Sequence, residues 1–463
     1  LENRLRFAKE IVEEIKSRCG QDFPVTMRYS PKSMMKDWRV GALPGEEFQE
    51  IGRDLDEGVQ AAKLLVEYGY DALDVDVGTY DAWWWNHPPM YQEKGLYRKY
   101  AKLMKETVDV PILMAGRMDN PEMASACIAD GTCDIISLGR PLLADPEYVN
   151  KLRANQYDRV RPCLSCHEGC MGRIQEYSAL NCAVNPQACR ERDMAYQPIC
   201  RPKKVLIVGG GVAGCEAARV LAIRGHEPHL FEAGSQLGGN LIPGGVPDFK
   251  EDDHALAAWY ARELERLSVP VTLNHKVTAS EAMSGGYDAV IVATGSTPKE
   301  NTLGDDARVH TAADVLTGKA DCGSKVVIVG GGLVGCETAL WLAQQGKQVT
   351  IVEALDKLLA VNGPLCHANS EMLEALIPFH QVQVVTNAKV QRFENGVLTA
   401  QMPEGVHTLE ADDVVLCVGY KEEDSLYKEL EFSVSEIYCL GDARKVANIM
   451  YAIWDAFEVA NHL

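Results

Sequence analysis

The chain has 463 residues, enough for two to four domains rather than one core. Its formal net charge of −20 would be repelled by nucleic acid and by anionic membranes, which leaves small-molecule chemistry as the better class. No apolar run is long enough to span a bilayer and the first residues lack the apolar core of a signal peptide, so a cytoplasmic protein is expected, with its fifteen cysteines as free thiols and metal ligands.

Residues 1–150 alternate amphipathic helices with short apolar strands. Residues 4–18 have helical periodicity, 24–29 read as a strand, 45–68 as a helix and 72–77 as a second strand; a strand over 110–115, a helix over 121–130 and a strand over 134–138 continue the pattern. Four βα units in a row imply a parallel sheet, and about 150 residues are only part of the roughly 250 that a (β/α)8 barrel needs. Gly116-Arg117 and Gly139-Arg140 each follow a strand directly, a pairing suited to holding a phosphate through glycine amides with arginine as countercharge. Arg28 ends a strand, where its charge needs an anion or a dense acceptor set; the N1 and C2 carbonyl edge of a flavin would serve, and so would a rim salt bridge. The loop over 78–90 carries Trp83, Trp84 and Trp85, which suit a hydrophobic substrate pocket and a subunit interface equally, and offers Tyr80 and His87 as proton donors.

Cys163, Cys166, Cys170 and Cys182 follow, spaced x2, x3 and x11. Four thiolates at that spacing can close around one metal centre. Zinc takes such sets too, but the lopsided spacing and the redox sites on both flanks favour iron and sulfur.

From residue 204 a strand runs into Gly209, Gly211 and Gly214 of a G-x-G-x-x-G loop, then a helix and a second strand ending at Glu232, where a carboxylate can grip an adenosine ribose. The unit returns from residue 325 with Gly330, Gly332, Gly335 and Glu353, so two dinucleotides are expected. Between the two units, 287–295 close the first half at Thr294 and Gly295, and 436–442 resume it at Gly441 and Asp442. Glu353 accepts from a ribose 2′-hydroxyl but would repel a 2′-phosphate, which favours NADH over NADPH. No Cys-x-x-Cys or Cys-x4-Cys lies between 238 and 294, so electrons need an exit other than a dithiol.

The interleaving of the two units resembles the flavoprotein disulfide reductases, which implies FAD in the outer unit, with Gly239 and Asp442 among its contacts, and NAD(H) in the inserted one. Over its whole length the chain resembles the 2-enoate reductase and 2,4-dienoyl-CoA reductase branch of the Old Yellow Enzyme family, through Leu1-Glu-Asn-Arg4, Arg28, Gly116-Arg117, Gly139-Arg140, the cysteine run and the paired glycine loops. That resemblance implies an α/β chain: the C-terminal half of a (β/α)8 TIM barrel carrying FMN and substrate (1–150), a [4Fe-4S] linker (151–200), the FAD domain in two parts (201–300 and 421–463) and an NAD(H) domain between them (301–420). It also implies that the chain is a fragment missing the first half of its barrel. The implied activity is NADH-dependent reduction of an activated carbon–carbon double bond, electrons passing from NADH to FAD, to the cluster, to FMN and to an unsaturated acid, thioester or enone. Where dienoyl-CoA reductases place a catalytic histidine, this chain has Tyr80. Two alternatives stand beside this reading: an amine dehydrogenase of the trimethylamine type, and an NADH-oxidising electron-transfer module without alkene reductase activity. Homo-oligomer formation stays open.

Overall fold

The computed structural model describes residues 1–361, 363 and 365–463. The chain divides into two compact units: Leu1–Leu142 with His367–Met372, and Leu143–Cys366 with Leu373–Leu463.

In the first unit, the strands Thr26–Tyr29, Ala72–Val75, Ile112–Met114 and Ile135–Ile136 form a parallel sheet in chain order. The helices Glu2–Cys19, Leu55–Glu67, Arg98–Thr107 and Pro121–Ala129 alternate with them. The helix expected over 45–68 starts only at Leu55, where Asp54 caps it by accepting from the Glu57 amide. The residues ahead of it form a loop held by Glu50, whose carboxylate accepts from the amides of Met34, Met35 and Gly52. A short hairpin, Met35–Asp37 with Val40–Gly41, precedes that loop. Trp84 and Trp85 are both buried and both donate Nε1 to the Ala42 carbonyl, so two of the three tryptophans anchor this hairpin.

The second unit contains two five-stranded, all-parallel sheets. One orders its strands Ile437–Cys439, Ala289–Val292, Lys204–Val208, Glu227–Phe231, Val271–Thr272; the other runs Val309–Thr311, Asp413–Leu416, Lys325–Val329, Gln348–Val352, Gln383–Val385. The chain leaves the first sheet after Val292 and returns to it at Ile437, with the second sheet built in between. An antiparallel pair, Ser296–Pro298 with Tyr420–Glu422, forms the doorway. A three-stranded antiparallel sheet, Lys389–Glu394, Val397–Met402 and Gly405–Glu410, follows the second sheet's strand Gln383–Val385; Asn395 and Gly396, both at positive φ, make its first turn.

Beyond an exposed lysine at the start of two of them, the central strands are apolar because helices cover both faces. Helix Val212–Arg224 is buried nearly all round, packed against helices Glu251–Arg266 and Ile449–His462. Its buried Arg219 is paired with Glu216 at 2.8 Å, and Tyr260 donates to the same carboxylate at 3.1 Å, so the interior charge is met on both sides. Among the described residues, no helix is long and apolar enough to cross a membrane.

Candidate functional site

The cysteine segment is pinned to the second unit by contacts that do not involve its thiols. Trp259 Nε1 donates to the Arg159 carbonyl at 3.0 Å, Arg262 Nε to the Asp158 carbonyl at 3.0 Å, and Asn461 Nδ2 to the Ala195 carbonyl at 3.0 Å. The ligand loop itself is tightly wound. Ser165 and His167 take left-handed φ values of 50° and 60°, and a π-helical turn, Glu168–Gly172, carries Cys170. A Cβ at Gly169 would sit 2.6 Å from the Ala183 nitrogen and the Cys182 carbonyl carbon, so only glycine lets the 166–170 loop close onto Cys182.

The backbone amide of Glu168 favours the charged form of Cys166, and those of Val184 and Asn185 favour that of Cys182. Burial, reinforced by Glu168, Cys170 and Cys163, holds the Cys166 thiol well above its ordinary range; burial and Cys170 push Cys182 up to about 11. The thiols thus sense one another. Among the described residues, no three His, Cys, Asp or Glu side chains are drawn together closely enough for one metal ion. Buried thiols that act on one another are a donor set that suits a metal centre held by thiolates.

The two glycine loops repeat each other atom for atom. Gly209 and Gly330 sit at φ 109° and 106°, and a Cβ on Gly214 or Gly335 would fall 1.9 Å from the carbonyl oxygen of Gly209 or Gly330. Gly211 and Gly332 cap the helices that follow. Each strand-end carboxylate braces its own loop. Glu232 accepts from the amides of Gly210 and Gly234, both at 2.6 Å, while the buried Glu353 accepts from Gly331 at 2.5 Å and Leu355 at 2.8 Å. Two lone pairs per oxygen still leave each able to accept from a ribose hydroxyl.

Around the first loop, a Cβ on Gly239 would come within 3.0 Å of the Gly211 Cα, and one on Gly441, at φ 58°, within 2.9 Å of the Ala213 Cβ. That packing brings Asp442 to the loop, where it accepts from Ser296 Oγ at 2.9 Å and the Ala447 amide at 3.1 Å. Gly295, at φ 76°, and Thr294, whose hydroxyl donates to the Glu423 carbonyl, turn the chain into the doorway.

In the first unit the strand ends converge on a charged cluster. Arg28 Nη1 lies 2.7 Å from Asp74 and its Nε 2.8 Å from Asp76, so two carboxylates of the neighbouring strand meet the charge. Ser137 Oγ, just past the fourth strand, donates to Asp74 at 2.9 Å. Arg140 Nη2 donates to the Pro88 carbonyl at 2.8 Å. Gly139 has no atom within 4 Å of where a Cβ would stand, which leaves its turn open. Arg117 is buried and donates through Nη1 to the Met90 and Gln92 carbonyls, which ties it to that loop. Its neighbour Gly116 is required by packing, since a Cβ would meet Tyr97 at 2.6 Å. Of the two Gly-Arg turns, the second therefore keeps the open backbone.

Tyr80 is 70% exposed and shares an aromatic group with Trp83, 5.0 Å away, and His87, 6.3 Å away. Burial, with help from Arg140 and Arg28, lowers the His87 pKa to about 4, so the imidazole is neutral at pH 7 and can donate only as N–H. The unfolded chain binds this proton near pH 6.5 while the folded one does not, so stability is fully present above pH 6.5 and lost as the pH falls toward 4. Thermal melts should lose about 2 kcal/mol between pH 6.5 and 5, and His87→Gln should remove that part of the slope. A melt slope unchanged in the variant would contradict the neutral imidazole.

Sequence reasoning gave no role to Asp74, Asp76, Ser137 or Tyr97. The first two had a signal: acids two apart on a strand share a face, and Asp74 stands in register with Arg28.

Residues 1–159 match the family model described as "NADH:flavin oxidoreductase / NADH oxidase family", and residues 203–455 the one described as "Pyridine nucleotide-disulphide oxidoreductase". Cinnamate reductase of Clostridium sporogenes is 54% identical over 100% of this chain and 70% of its own length. NADH oxidase of Thermoanaerobacter brockii is 35% identical over 99% of the chain and 69% of its own. Among solved structures, a 2-naphthoyl-CoA reductase complex superposes with a TM-score of 0.90 at 27% identity, covering 100% of this chain and 69% of that one.

Proposed function

Because this chain belongs to the NADH:flavin oxidoreductase family, in its 2-enoate reductase branch, and is a flavin-dependent oxidoreductase, we propose that it reduces the double bond of an aryl 2-enoate acid of the cinnamate kind at the expense of NADH. The balance is NADH, one proton and the alkene to NAD+ and the saturated acid. The observation that carries this reading is that two intact glycine loops, each braced by its own glutamate, share one unit with the four-cysteine segment. The cinnamate reductase at 54% identity supports the choice of acid over thioester or enone.

When bound, FAD, a [4Fe-4S] cluster and FMN would supply acceptance of a hydride, passage of single electrons and delivery to the alkene. The first loop with Glu232, Gly239 and Asp442 would hold FAD, and the second with Glu353 would hold NADH. Cys163, Cys166, Cys170 and Cys182 would hold the cluster, and Arg28, Gly116, Gly139 and Arg140 would border the FMN. Arg28, already shared between two carboxylates, can stabilise negative charge beside it without being an isolated buried cation. With His87 neutral, the proton for the α-carbon comes from the Tyr80 hydroxyl or the imidazole N–H.

Protein purified without air should oxidise NADH with cinnamate at least about tenfold faster than with a 2-enoyl-CoA or a steroid enone, the factor worth one well-placed polar contact. If none of the three raises NADH oxidation in protein that contains iron, sulfide, FAD and FMN, the alkene reductase reading fails.

A further inference from the structure

The helix Ile449–His462 reaches both ends of the path on which the proposed function rests, with two adjacent residues. Asp455 Oδ2 accepts from the Gly441 amide at 3.0 Å, beside Asp442, and Asp455 Oδ1 pairs with Arg444 at 2.8 Å. Trp454 donates Nε1 to the carbonyl of Cys182 at 3.0 Å. The helix is capped by Asn448, which accepts from the Tyr451 amide at 3.0 Å and donates to Glu168 between Cys166 and Cys170 at 3.2 Å. One rigid element therefore touches the flavin-side turn at Gly441 and both parts of the cysteine segment.

The indole has a second task. Arg190 lies 4.8 Å and Arg173 5.5 Å from its ring, two cations that flank Cys182 along the chain. Arg190 Nη2 also donates to the Pro186 carbonyl at 2.9 Å, and Arg173 Nε to the Ala179 carbonyl at 3.0 Å. Each guanidinium is thus held by one carbonyl of the cysteine segment and by the Trp454 ring. Reduction of a cluster adds negative charge, which fixed cations nearby favour.

We propose that Trp454 is a positioning residue for electron entry into the cluster. It fixes Cys182 relative to the flavin-side turn and stations Arg173 and Arg190 where they raise the cluster's reduction potential, so that the cluster accepts electrons from the NADH side. Trp454 itself is neither oxidised nor reduced.

The test follows anaerobically purified protein after mixing with NADH, reading flavin bleaching and the paramagnetic signal of the reduced cluster separately, with a potentiometric titration of the same samples. Trp454→Leu should leave flavin bleaching unchanged, lower the cluster's midpoint potential and slow its reduction by at least about tenfold, as expected for loss of an outer-shell partner. Trp454→Phe keeps the ring and loses only the N–H, and should fall between. If Trp454→Leu is recovered without iron, Arg190→Gln reads the same quantity, since it removes a cation and leaves the indole bond in place. Unchanged potential and cluster reduction in the leucine variant, or in Arg190→Gln should that be the sample read, would overturn the assignment. Absence of iron and sulfide from the parent protein would instead overturn the proposed function on which it rests.

Discussion

Cys166→Ala should yield a folded protein that still bleaches its FAD with NADH, yet holds little iron and reduces cinnamate slower by a factor on the order of 100 or more, beyond the cost of losing an outer-shell partner. Folding should survive because Trp259, Arg262 and Asn461 anchor the segment in addition to the packing of its thiols. Removing a buried thiol from the 166–170 loop costs packing, but the loop's course is set by Gly169 against Cys182 and by the π-turn. NADH-driven reduction of an artificial electron acceptor, measured beside iron and acid-labile sulfide, separates the two halves of the path. Parallel loss of both activities would mean that the cysteines hold the fold. Full cinnamate turnover without iron would mean that the cluster is not on the route.

The second large effect lies in the inner glycine loop. A methyl group at residue 335 would stand 1.9 Å from the Gly330 carbonyl oxygen, so helix Leu333–Gln344 must back away from the loop. Overpacking of this kind costs about 1–3 kcal/mol, which corresponds to about 5- to 150-fold weaker binding if it falls on the nucleotide. Gly335→Ala should therefore raise KM for NADH while FAD content and dithionite-driven cinnamate reduction stay as they were. Gly214→Ala carries the same clash against Gly209 in the outer loop and should lose FAD instead. If the two variants lost the same cofactor, the assignment of FAD to one loop and NADH to the other would be wrong.

The dinucleotide units were readable because their chemistry is local. Strand, glycine loop, helix and terminal glutamate occupy about thirty consecutive residues, and the last glycine of each loop, Gly214 or Gly335, is required by a contact within that stretch. The cysteine spacing was readable for the same reason. What escaped was set by distant partners. Arg117 looks like Arg140 in sequence, and only the carbonyls of Met90 and Gln92 reveal it as a buried brace. Trp84 and Trp85 share one acceptor, Ala42, some forty residues back. Residues 45–54 have helical periodicity but follow Glu50's hydrogen bonds to the hairpin, a tertiary override of a weak local preference. The three-stranded sheet had a usable mark in Asn395-Gly396, a strong short hairpin signal.

Isotopic labelling tests the central claim, that reducing equivalents from NADH travel singly through the four-cysteine site on their way to the alkene. Electrons passed one at a time leave the nicotinamide hydrogen behind, whereas a direct hydride route carries it along. With NADH deuterated at C4 in ordinary water, the saturated acid should contain no deuterium, and with ordinary NADH in deuterium oxide it should contain deuterium at both the α and β carbons. Deuterium from NADH on the β-carbon would contradict the relay.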